Sequence, residues 1–79
     1  MPSISSALAG VLRRHRTEAG LSQEELAHRA ELDRTYISLV ERSKRNLTVD
    51  ALDRIASGLG VPASRLLAEA EAARSKGRR

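Results

Sequence analysis

Apolar residues return every three to four positions along most of this chain, and β-branched residues nowhere fall into alternation. That period belongs to helices packed by one face, not to strands. Ile4, Leu8, Val11, Leu12, His15 and Ala19 make the first stripe and predict a helix from about Ser5 to Ala19. Gly20 follows as the left-handed residue that commonly ends a helix. Ser22 with Glu25 forms a capping box for a second helix, Gln23 to Ala30, whose Leu26, Ala27 and Ala30 face inward. Only Glu31-Leu32-Asp33 separates it from a third helix. Asp33 caps that helix, Ile37 and Val40 are its buried face, and Glu41 lies beside them. Thr48 caps a fourth helix with a stripe of Val49, Leu52, Ile55, Ala56 and Leu59, ended by Gly60. Pro62 stands near the start of a fifth, which carries Leu66 and Leu67. From Ala68 the residues are mostly Ala, Glu and Arg. They extend the fifth helix for a turn or two before Ser75 to Arg79 fray. The expectation is an all-α fold of five short helices. Residues 1–67 form the domain, and 68–79 form a helical extension and a partly disordered basic tail.

Composition narrows the chemistry. The 79 residues suffice for one domain with a core that is marginal on its own, so help from a second subunit is expected. Cysteine is absent and Tyr36 is the only aromatic residue. Disulfides and thiolate metal sites are excluded, and His15 and His28 lack a ligand pattern. No metal, cofactor or enzymatic activity is expected. No apolar run approaches the roughly 20 residues of a membrane span, and the first residues lack the layout of a signal peptide. A soluble cytoplasmic protein is the default. The net charge is +4. Its placement says more than its size. Three cations fall within Arg42-Ser43-Lys44-Arg45, and four more within the last six residues.

The second and third helices, joined by a tight turn, have the proportions of a helix-turn-helix unit. A helix with its side chains is about 10–12 Å across, close to the width of the DNA major groove. The stretch Leu21-Ser-Gln-Glu-Glu-Leu-Ala-His-Arg-Ala, the later Ile37-Ser-Leu-Val-Glu41 and the run Thr48 to Gly60-Val-Pro resemble the phage-repressor (Cro/C1, or XRE) family. The resemblance spans about Leu8 to Leu67 and implies a lambda-repressor-like fold. Leu32-Asp-Arg-Thr-Tyr-Ile-Ser, Glu41-Arg and Arg45-Asn-Leu-Thr48 further resemble the controller proteins of restriction-modification systems, which are dimeric, self-regulating activator-repressors. Glu31 is a departure, because the family often has Gly in that turn. A side chain there carries a modest steric cost.

With Ile37 facing the core, Thr35, Leu39 and Arg42 point away from it, Ser38 lies alongside and Arg34 stands at the exposed start. Arg34 is the first candidate for reading a base, since a guanidinium bonds O6 and N7 of guanine together. Thr35 and Ser38 read less sharply, and Leu39 suits a thymine methyl, the edge of the core or a partner subunit. Tyr36 is expected at a phosphate or base edge, or partly in the core. Gln23 begins the second helix, where backbone N–H groups favour an anion, and the resemblance implies a phosphate there. Arg16, Arg42, Lys44, Arg45 and Asn46 are the further phosphate candidates. The controller resemblance also takes Arg45 to a base. Glu41 is expected to brace a nearby Arg or backbone group, Glu24 to be solvated, and His15 to edge the first helix's stripe.

One recognition helix reads about four base pairs, so a homodimer on a palindromic operator is expected. Its interface is sought at Leu59, Val61, Pro62, Leu66 and Leu67, which otherwise close the monomer core. No effector domain follows Leu67, so control is expected through concentration, dimerisation and operator affinity, without a small-molecule effector. Binding beside a promoter would recruit RNA polymerase or block it. The alternative reading is an antitoxin that binds both a toxin and its own promoter.

Overall fold

The computed structural model describes residues 3–76, with no account of the Lys76 side chain. Five helices follow one another: α1 (Ile4–Glu18), α2 (Gln23–Ala30), α3 (Arg34–Glu41), α4 (Val49–Leu59) and α5 (Ala63–Lys76). There is no strand among the described residues. The largest fully buried side chains are Leu12, Leu26, Ile37, Ile55 and Leu66, one from each helix. Every element is therefore tied to a single core, which no four of them would close.

Caps set the starts. The Ser3 hydroxyl accepts from the Ser6 amide at 3.1 Å, so α1 begins before the expected Ser5. At α2 the Glu25 amide donates to Ser22 Oγ at 3.0 Å, and the Ser22 amide donates to Glu25 Oε1 at 2.8 Å. The capping box is thus complete, and hydrogen bonding from the Ser22 amide, then from its hydroxyl, holds the Glu25 carboxyl below its ordinary range. Asp33 and Thr48 cap α3 and α4.

One device closes the first four helices. After each, a residue in the left-handed region donates its amide three residues back, and the next residue donates five back. The pairs are Gly20 to Thr17 and Leu21 to Arg16, Glu31 to His28 and Leu32 to Ala27, Ser43 to Val40 and Lys44 to Leu39, and Gly60 to Ser57 and Val61 to Ala56. This is the Schellman closure. Gly20 and Gly60 adopt it at φ 74° and 76°, where glycine meets no steric penalty. Glu31 and Ser43 adopt it at 57° and 59° despite their side chains.

Three expectations need correction. Val49 lies outside the apolar stripe of α4 and is 82% exposed, because the first turn of that helix projects past the elements covering Leu52 and Ile55. The boundary at residue 67 cuts through a continuous α5, whose Ala70 is wholly buried. The core therefore continues past it. Leu66, expected at a subunit interface, is fully buried in the monomer core. The last three residues of the tail lie outside the described residues.

Candidate nucleic-acid interface

The α2–α3 unit is held from below. Ala27 and Ala30 are buried where α2 meets its neighbours, and Ile37 and Val40 anchor α3. Gly58 lets α4 approach α2 from the other side. A Cβ there would stand 3.2 Å from Arg29 Cβ and 3.3 Å from Leu26 Cδ1. Arg34 and Thr35 are exposed on the first turn of α3, and Ser38 and Leu39 are half-buried one turn on.

At the far end of α3, Glu41 ties three helices together. Arg16 Nε donates to Glu41 Oε2 at 2.7 Å and Arg16 Nη2 to Oε1 at 3.0 Å. Gln23 Nε2 donates to the same Oε1 at 3.1 Å, and Arg16 Nη1 donates to the Leu21 carbonyl at 2.8 Å. The Arg16 and Glu41 side chains are only 12% and 4% exposed. The hydrogen bonds that the guanidinium donates to Glu41 keep its pKa above its ordinary value. Arg16 is accordingly corrected from a phosphate candidate to a structural clamp, since its donors are turned inward. Glu41 braces an Arg, as expected. Gln23 keeps its place at the start of α2, with its amide nitrogen steadied by Glu41.

Beyond α3 runs the basic loop. Arg42, Lys44, Arg45 and Asn46 are all exposed there. Tyr36 shapes it: the phenol donates to the Asn46 carbonyl and accepts from the Thr48 amide, both at 3.3 Å. The Arg45 guanidinium stacks 5.4 Å above its ring. The Tyr36 hydroxyl thus braces the loop backbone, in addition to the phosphate or base-edge contact expected of it. Sequence reasoning missed this role, since nothing in the spacing from 36 to 46 announces the contact. It also missed the left-handed Ser43 that turns the chain out of α3, which an Arg-Ser-Lys run does not signal.

His15 lies at the edge of the α1 stripe, where its Nε2 stands 2.7 Å from Glu69 Oε1. Arg14 Nη2 donates to the same carboxylate and Arg65 stands 3.6 Å from its other oxygen. This cluster fastens α5 to α1 and takes no part in the basic face. Of the residues expected at a subunit interface besides Leu66, Leu59 and Val61 pack part-buried against the core, Pro62 is exposed, and Leu67 is 39% exposed.

The family model described as helix-turn-helix matches residues 12–66, well over half of the chain. The chain belongs to the Cro/C1-type helix-turn-helix family. Control protein C.MunI of a Mycoplasma species is 43% identical over 60 residues, which cover 76% of this chain and 78% of that protein. A hypothetical transcription factor of Neisseria meningitidis serogroup B is 44% identical over 64 residues, or 81% of this chain. The match spans only 60% of that longer relative. Among solved structures, the wild-type restriction-modification controller protein C.Esp1396I superposes with a TM-score of 0.86 at 37% identity, over 96% of this chain and 99% of that one. The helix-turn-helix chain thus closely resembles restriction-modification controllers in sequence and in fold.

Proposed function

We propose that this helix-turn-helix chain is a sequence-specific regulator of transcription that binds double-stranded DNA as a homodimer, and that it is the controller protein of a restriction-modification system. The observation that carries this reading is one continuous surface. The exposed start of α3, with Arg34 and Thr35, adjoins a loop that presents Arg42, Lys44 and Arg45 and is braced by Tyr36. In this reading Arg34, Thr35, Ser38, Leu39 and Arg45 meet base edges. Gln23, Arg42, Lys44 and Asn46 hold the sugar-phosphate backbone. Phosphate contacts supply salt-dependent affinity, and base contacts supply choice. The named controllers support the specific role. The chain acts on its own promoter, and RNA polymerase is recruited or blocked according to where the operator lies. Its level and operator affinity set the response without a small-molecule effector.

A salt titration on DNA from the protein's own promoter region tests the reading. A dimer neutralising about six phosphates loses roughly a thousandfold in affinity between about 50 and 200 mM salt. Binding that is undetectable at the lower salt, or indifferent to salt, contradicts it.

A further inference from the structure

Glu41 is out of place by charge alone. It closes α3 beside the basic loop, where a carboxylate repels the phosphates that the proposed complex brings close. Yet its side chain is only 4% exposed and spends both oxygens inward. Arg16 Nε donates to Oε2, and Oε1 accepts twice, from Arg16 Nη2 and from Gln23 Nε2. We infer that Glu41 is a positioning residue for DNA binding: it fixes which way round the Gln23 amide stands, so that a donor and not the carbonyl oxygen is offered to a phosphate. The inference rests on the proposed regulator reading, in which Gln23 holds the sugar-phosphate backbone, and gives that contact a partner inside the fold.

The chemistry of the amide carries it. A terminal amide keeps nearly the same shape when turned over, and only hydrogen bonding distinguishes the two settings. A carboxylate only accepts, so Glu41 takes the NH2 end and excludes the oxygen. Nε2 carries two hydrogens. One is committed to Glu41, and the second is left to donate outward. In the other setting an oxygen would stand in its place and repel an anion. Gln23 is half-buried at the first position of α2, in contact with Glu41 and still open to solvent.

Arg16 completes the arrangement. Its guanidinium places an opposite charge 2.7 Å from the Glu41 carboxylate, so the pair together carries no net charge toward the DNA. Its Nη1 also donates to the Leu21 carbonyl at 2.8 Å, which holds the chain entering α2 against the same pair. Gln23 is thus fixed from its backbone side and from its amide end by one ion pair. A donor set in advance avoids the ordering cost that a freely rotating side chain meets on binding.

The test is a double-mutant cycle on the full chain. Wild type, Gln23→Ala, Glu41→Gln and the double variant are each titrated with double-stranded DNA from the protein's own promoter region at about 50 mM salt. Charge alone predicts that Glu41→Gln tightens binding, because it leaves Arg16 uncompensated beside the DNA. The inference predicts the reverse. Glu41→Gln and Gln23→Ala should each weaken binding about tenfold or more, the worth of a hydrogen bond to a charged group. The double variant should bind no more weakly than Gln23→Ala, since Glu41 acts through that side chain. Binding by Glu41→Gln that equals or exceeds wild type overturns the inference. So do losses that multiply in the double variant, which mark a role in the fold alone.

Circular dichroism checks folding. If Glu41→Gln does not fold, NMR of the wild-type side-chain amides decides. Gln23 and Asn46 carry the only side-chain amides in the chain, so the Gln23 pair is read without overlap. One of its protons should be protected from solvent exchange in the free protein, and both in the DNA complex. A Gln23 pair that exchanges freely without DNA, or that DNA leaves unchanged, overturns the inference. Wild type that binds no DNA at all refutes the regulator reading itself.

Discussion

Arg34 and Lys44 are both exposed cations of the basic face, yet their positions assign them different work. Arg34 opens α3 and is the side chain that the proposed complex sends into the major groove. Lys44 sits in the loop beyond. Arg34→Ala should abolish preference at one base pair per half-site, about 1–3 kcal/mol of discrimination. Lys44→Ala should weaken binding to all sequences alike and lower the salt slope by about one per subunit. Competition binding against single-base operator variants separates the two. A uniform loss for Arg34→Ala would make it a phosphate contact. Glu41 offers a stability test at the same scale. Removing one partner of a buried ion pair leaves the other charge uncompensated. Glu41→Ala should therefore cost about 3 kcal/mol in urea unfolding. A cost under about 1 kcal/mol would show that Arg16 finds other partners.

The helices themselves were legible in the chain. Stripes at helical spacing, Ser22, Asp33 and Thr48 as caps, and Gly20 and Gly60 as stops placed all five, because each of these signals is local. What escaped was tertiary. Val49 fits the α4 period and is nonetheless exposed, since a stripe does not say how far the covering helices extend. Leu66 and Leu67 are adjacent, and only the packing shows that the first is core. In the interface, the exposed start of α3 followed from the capping signal of Asp33. The inward turn of Arg16 did not, because no local rule pairs residue 16 with residue 41.

Two left-handed residues flank α3, and both carry side chains. Glu31→Gly should stabilise the domain by about 1 kcal/mol, raising Tm by roughly 4–8 °C, since a left-handed L-residue costs about 1–2 kcal/mol. The lost contact to Arg54 is long, 3.8 Å, and solvent-exposed, so it offsets little. An unchanged or lower Tm in a thermal scan would show that this turn carries no strain.

The fastening of α5 has its own signature. Glu69 lies below its ordinary 4.5, chiefly through the His15 hydrogen bond, with further help from Arg14 and Arg65. A carboxyl depressed in the folded state contributes stability that is present above its unfolded pKa and lost as pH falls through the folded one. Thermal stability should therefore fall as pH drops below about 4.5, and Glu69→Gln should fall less steeply there. Equal slopes for the two would remove Glu69 from the account.

At the scale of the whole molecule, one core joins five helices and leaves two surfaces: the basic face of α3 with its loop, and the apolar groove beside it. Thr48, which lines the groove with Ile4, Leu8, Val49 and Leu67, donates its amide to the Tyr36 hydroxyl and so links the two surfaces. The central claim is that paired copies read two half-sites on one face of the duplex. Selection of bound sequences from a random DNA pool by the wild-type protein tests it most directly. The account predicts an enriched inverted repeat with half-site centres about 10 base pairs apart, or a multiple of one DNA turn. A single unrepeated motif, or no enrichment at low salt, would contradict it.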